Sequence, residues 1–143
     1  VGTGIELEAA EQYFRIKCLA SQTLVSLVPG GFYSERVQTA PSGNYVIWSY
    51  QGSLPDLDEV HGVRILVQPL YLVRVIGATD DFTQLQPAAE ALDAALHMAG
   101  PQAVPGYTVA ECNRERPYSV VEHFVNIERR HLGGYYRLYI QPS

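Results

Sequence analysis

Positive charge is scarce in this chain and nearly all of one kind. Lys17 is the only lysine, the formal charge is -5, and the isoelectric point is near 5.3. The arginines are scattered apart from the pair Arg129-Arg130. A protein that grips nucleic acid neutralises phosphates with clustered cations, so this balance argues against that class. An acidic subunit can still work beside DNA, where its charge would keep a moving duplex from sticking. Cysteine is also sparse: Cys18 and Cys112 lie far apart, in apolar settings and without a Cys-x-x-Cys partner, and read as small buried residues rather than a disulfide. No apolar run reaches membrane-spanning length and no secretion signal opens the chain. The expectation is a soluble protein, intracellular when made, with no membrane partner.

Catalytic signatures are missing too. His61, His97, His123 and His131 form no HxxxH or HxH pair, and His97 falls at a helix end where the dipole favours a cation. There is no GxSxG elbow, and the glycine pairs at Gly30 and Gly133 lack phosphate-loop or dinucleotide spacing. The acidic residues Asp56, Asp58 and Glu59 lack the order of a calcium loop. The sequence therefore predicts no catalytic residue, no cofactor and no metal: not an enzyme.

What is present is a globular composition. The chain has 143 residues, 47% hydrophobic and 17% charged, which fits one domain over 1–143. Its ten tyrosines offer apolar area with a polar tip, suited either to an interface or to capping a sheet.

Thr3-Gly-Ile-Glu6 matches a capping box and predicts a helix to about Ala20, with Leu7, Ala10, Phe14 and Cys18 on its buried face. Ser21 should cap a short helix through Leu27, stopped by Pro29-Gly30-Gly31. Phe32 to Val37 reads as a short edge strand or extended segment, Tyr45 to Tyr50 as a strand holding the only tryptophan, Trp48, and Gly52 to Gly62 as a mobile hairpin connection. Val63 to Ile76 is the longest strand signal. Pro69 predicts a bulge, bend or edge position within it, and its length suggests projection beyond the body.

Asp80 and Asp81 should open a second long helix running to about Met98, with Thr83 and Gln86 as a second capping box and Leu85, Ala89, Leu92 and Leu96 as its buried stripe. Gly100 to Gly106 reads as a loop. Tyr107 to Cys112 then forms a strand, broken or bent at Asn113-Arg-Glu-Arg-Pro117 and continuing extended from Tyr118 to Glu128. His131 to Ile140 is an aromatic strand into which Gly133-Gly134 turns, paired with a segment near Val120 to Glu128. The order predicts an α+β domain, a mainly antiparallel sheet with two principal helices on one face and long strands or a hairpin projecting. Arg114-Glu-Arg116 and Glu128-Arg-Arg130 form the densest charge pattern and could face one another on neighbouring strands.

These segments resemble the tail terminator, or tail completion, proteins of long-tailed bacteriophages, which join tail to head. The resemblance rests on Leu27-Val-Pro-Gly-Gly31, Asn44-Tyr-Val-Ile47, the alanine-rich helix from Leu85 to Leu96, Asn113-Arg-Glu-Arg-Pro-Tyr118, and Arg130-His-Leu-Gly-Gly-Tyr-Tyr-Arg137. It implies a virion structural protein that forms a ring, six-fold in related proteins, at the head-proximal end of the tail tube. Its partners would be copies of itself, the tail tube protein and a neck or head-completion protein, with DNA passing through the lumen without specific binding. It would act in the tail neck region after assembly in the host cytoplasm. A closed ring needs two complementary faces per subunit, and Arg114, Arg116, Arg129, Arg130, His131, Tyr135 and Arg137 are the expected interface residues. The alternatives are a head-side neck adaptor, a tail-tube subunit, or a small-molecule-binding α+β domain using Trp48 and the tyrosines as a pocket; a metal-dependent hydrolase ranks below these.

Overall fold

The computed structural model describes residues 6–37, 39, 41–58, 64–79 and 81–142, apart from the side chains of Glu6, Asp58 and Arg64. Helix α1, Glu6–Ala20, buries Ala10, Phe14 and Cys18 as its spacing predicts, and adds Ala9 and Tyr13. The expected Thr3 cap lies outside the described residues. Helix α2, Gln22–Leu27, begins at Ser21, whose Oγ accepts from the Leu24 N–H at 3.2 Å. Gly31, at φ 94°, turns the chain into β1, Phe32–Ser34. This strand pairs in parallel with β2, Tyr45–Asp58, as a short edge.

The acidic stretch does not form the expected mobile connection as far as Asp58. Gly52 to Asp58 continues β2, paired with β3, Arg64–Gly77, through register shifts at Gln51 and around Pro55. Its outer side lies beyond the reach of β1, so Pro55 can be accommodated where an interior strand would lose a ladder bond. Residues 59–63 lie outside the described set, and with them Val63. Pro69 occupies an interior strand rather than an edge. The β3 ladder to its other neighbour skips Gln68 and Pro69, and the bulge lies across the hairpin, at Gln51.

Asp81 caps a 3-10 turn at Phe82–Gln84, accepting the Thr83 N–H at 2.9 Å, and the helix proper, α3, spans Gln86–Leu96. Thr83 is thus capped rather than capping, and Asp80 lies outside the described residues. The helix ends before Met98, which takes φ 54°. Its buried stripe is Leu85, Ala88, Leu92 and Leu96; Ala89, expected there, is half-buried. Gln102–Val104, expected as loop, forms strand β4 against β5, Tyr107–His123. The Asn113 to Pro117 run does not break β5, because a bulge between Arg114 and Arg116 absorbs the irregularity.

Strand β6, Glu128–Pro142, pairs with β5 on one side and β3 on the other, giving the order β1-β2-β3-β6-β5-β4, antiparallel except for the β1–β2 pair. The turn into β6 is made at Phe124–Ile127, where the Phe124 N–H donates to the Ile127 carbonyl at 2.9 Å. Gly133 and Gly134 lie inside the strand instead. A Cβ on Gly133 would stand 2.1 Å from the Val73 carbonyl oxygen, and one on Gly134 would stand 2.6 Å from Arg114 Cδ, so close packing of chains explains the pair.

The helices cover one face of this curled sheet. Phe14 centres the core, with ring centroids 5.9 Å from Tyr13, 5.7 Å from Trp48 and 5.1 Å from Tyr71. Much of the tyrosine is structural. Tyr13 donates to the Leu96 carbonyl at 3.2 Å, Tyr71 to that of Leu7 at 3.4 Å, and Tyr136 to Asp93 Oδ1 at 2.9 Å, so each hydroxyl ties a helix to its neighbour or to the sheet.

Candidate functional site

Residue alternation along β6 sorts the expected interface residues. Tyr136, Leu138 and Ile140 enter the helix-covered core, which places Arg129, His131, Tyr135 and Arg137 on the other, helix-free face. Arg116 joins them from β5, its guanidinium 4.2 Å from the centre of the Tyr135 ring, while Tyr118 meets that ring edge-on at 5.7 Å. Arg114 and Arg130 belong to the helix side: Arg114 approaches Asp93 of α3 at 4.0 Å, and Arg130 lies 4.9 Å from the Phe82 ring. The two charge clusters do not face one another. Arg116 registers with Tyr135 and Arg130 with Val121, about 16 Å apart along the strands at the usual rise per residue.

Most of these cations are already engaged. Arg137, nearly buried, forks onto Glu115 at 2.9 and 3.2 Å and donates to the Gln68 carbonyl at 2.9 Å, beside Pro69 where the ladder is interrupted. Arg130 donates to Glu128 at 3.0 Å, and His123 pairs with the other oxygen of that carboxylate at 2.9 Å. Sequence spacing does not reveal Glu115 and Glu122 as partners, because the β5–β6 register that delivers them is a tertiary fact.

His131 bridges three strands. Its Nδ1 accepts from Arg74 Nε at 3.1 Å, which leaves Nε2 to carry the proton toward Glu122, in close contact. Burial holds the imidazole below its usual range, the Arg74 and Arg129 charges add to that, and Glu122 opposes. Protonation would replace the acceptor facing Arg74 with a second donor. A histidine whose folded value is depressed contributes stability that is complete above about 6.5 and is lost as pH falls from there through the folded value. Stability measured by urea denaturation should therefore fall on acidification across that window, and His131→Gln should fall less steeply. Equal slopes for the two proteins would remove His131 from the pH dependence.

The remaining candidates resolve simply. Trp48 is wholly buried against Phe14, so it offers no face to a ligand, which counts against the alternative of a small-molecule pocket built on it. Cys18 and Cys112 are both free and buried, and burial pushes the Cys18 thiol up to about 12. Among the described residues no group of three His, Cys, Asp or Glu side chains converges as a ligand set, and no helix is long and apolar enough to cross a membrane.

The strand directions create a feature that the sequence only half discloses. The β2–β3 pairing extends past the Val67–Ile140 pair, whereas the β5–β6 hairpin extends past the Gly77–Arg130 pair, so the two pairs of strands run on from opposite ends of the sheet. Both carry apolar side chains in solvent: Leu54, Leu57 and Ile65 on the first, and Phe124, Val125 and Ile127 on the second, where Val125 is 97% exposed. Asn126 was the one turn residue that could have signalled the second tip.

No protein-family model matches the sequence, and no curated protein matches it either. Among solved structures, the fold is similar to a chain of the virion of a native gene transfer agent particle, with a TM-score of 0.68 and 19% identity, covering 90% of this chain and 91% of that one. It is also similar to a second solved structure that carries no functional name, with a TM-score of 0.53, 13% identity and coverage of 93% and 95%. At these identities the likeness is one of fold.

Proposed function

We propose that this protein is a structural component of a phage-like virion: a terminator that forms a ring, six-fold as in the resembled family, at the head-proximal end of the tail tube. There it would end tube polymerisation and join the tail to the neck. The observation that carries this reading is fold likeness, over nine-tenths of both chains, to a chain of a gene transfer agent virion. The motifs around Arg114 and His131 support the narrower assignment. Strand pairs running on from opposite ends of the sheet suit a subunit that must meet different neighbours on different sides. In the assembled particle the partners are further copies, the tail tube protein and a neck protein, and DNA passes through the lumen without specific binding.

Negative-stain imaging of tail tubes mixed with the purified protein tests the assignment. Tubes capped at one end are expected. Decoration along the sides, or growth of the tubes by added protein, would point to a tube subunit, and binding confined to emptied heads would point to a head-side adaptor.

A further inference from the structure

The β5–β6 tip is an apolar knob without a cover. Phe124 is half exposed, with one contact to Arg129, and Val125 is almost wholly exposed, on a short turn that leaves both reaching into solvent. Arg129 stands behind the knob, held by the Phe124 ring at 5.5 Å and the Tyr45 hydroxyl at 3.5 Å rather than by a carboxylate among the described residues. Elsewhere on the subunit, α3 and the helix-side face of β5–β6 enclose an open groove of about 510 Å³. Ala89, Ala94, Pro117 and Leu132 give it apolar walls; Asp93 and Arg114 also line it, 4.0 Å apart and offsetting each other's charge, which leaves Glu90, exposed on its rim, without a cationic partner among the described residues. Knob and groove are therefore complementary in polarity and in charge, apolar tip to apolar wall and guanidinium to free carboxylate.

We infer that the Phe124–Ile127 tip of one copy docks in the α3 groove of the next. The inference rests on the ring reading and gives it a contact. Tip and groove are different patches of one subunit, so their union is heterologous and propagates from copy to copy until a ring closes. Tip insertion would cover Val125, the most exposed large apolar side chain among the described residues, and Arg129 would reach Glu90 across the joint. Insertion would also explain why α3 is thin on that side, where alanine rather than a larger residue lines the groove.

Disulfide trapping tests it, because the native thiols of Cys18 and Cys112 are buried and leave a silent background. Val125→Cys and Ala94→Cys variants are prepared separately, confirmed as folded by circular dichroism, and added together to tail tubes under a mild oxidant. Linked dimers should form in the mixture and in neither variant alone, and a chain carrying both substitutions should give a ladder beyond two copies. Val125→Cys linking to itself, or a ladder that stops at two, overturns the head-to-tail contact. Glu90→Arg and Arg129→Glu should each lower trapping several-fold, and their combination should restore it; no restoration counts against the contact. Capping by the wild type is scored independently. Capped tubes without links remove this contact and leave the ring role standing, whereas links without capping keep the contact and remove the tail role.

Discussion

Gly133→Ala is expected to lose on the order of 3 kcal/mol or more of folding stability, the upper end for forcing volume into a packed site. In a domain of this size that lowers the melting temperature by about 10 °C. The added Cβ would stand 2.1 Å from the Val73 carbonyl oxygen and 2.6 Å from the Arg74 Cα, and both belong to the backbone of β3. A backbone inside a sheet cannot yield without giving up ladder bonds on either side, so the strain has no cheap outlet. Gly134→Ala is the control. Its Cβ meets the flexible Arg114 side chain, which can swing aside, and stands 3.0 Å from one backbone atom, the Arg116 carbonyl oxygen, which needs to give by only a few tenths of an ångström, so the loss should be smaller, about 1 kcal/mol. Thermal and urea denaturation of the pair decide the matter. Equal, small effects would mean that β3 and β6 do not approach as described.

Phe14→Ala should have an effect of similar or greater size, about 3 to 5 kcal/mol, as for other large aromatic truncations in cores. Phe14 is fully buried and touches the rings of Tyr13, Trp48 and Tyr71, so its removal opens a cavity where α1 meets the middle of the sheet. Phe14→Leu should recover most of the loss by refilling volume. Trp48, the only tryptophan, reports on this directly: its fluorescence should shift to longer wavelength in Phe14→Ala before global unfolding, as water reaches the indole. A variant that keeps the wild-type emission and melting temperature would show that α1 is not anchored by this ring.

Much of the architecture was legible because local chemistry and tertiary structure agree. Ser21, the Pro29-Gly30-Gly31 stop, the spacing of Phe14 and Cys18, and the placement of helices on one face of a mainly antiparallel sheet follow from caps and periodicity. The misreadings share one physical cause. Glycine, proline and charge have more than one use, and a single chain does not say which applies. Gly133-Gly134 has the composition of a turn but serves strand proximity. Gly52 to Asp58 has the composition of a loop but extends a strand whose outer side is uncovered. The true turn at Phe124–Ile127 is apolar except for Asn126, so it merges with the strand signal around it. The expected interface residues divide by strand alternation into a helix-free group and the helix-side pair Arg114 and Arg130, a division that depends on the bulge in β5 and could not be read before the register was known.

The position of β6 also sets the order in which the molecule can be completed. A nascent chain carrying residues up to 127 holds a β1–β2–β3 portion and a β4–β5 portion that share no strand pairing with each other. Strand β6, made after both, is the one that joins them, so the strands become a single sheet only once it has been synthesised, and losing it would split that sheet in two instead of trimming an edge.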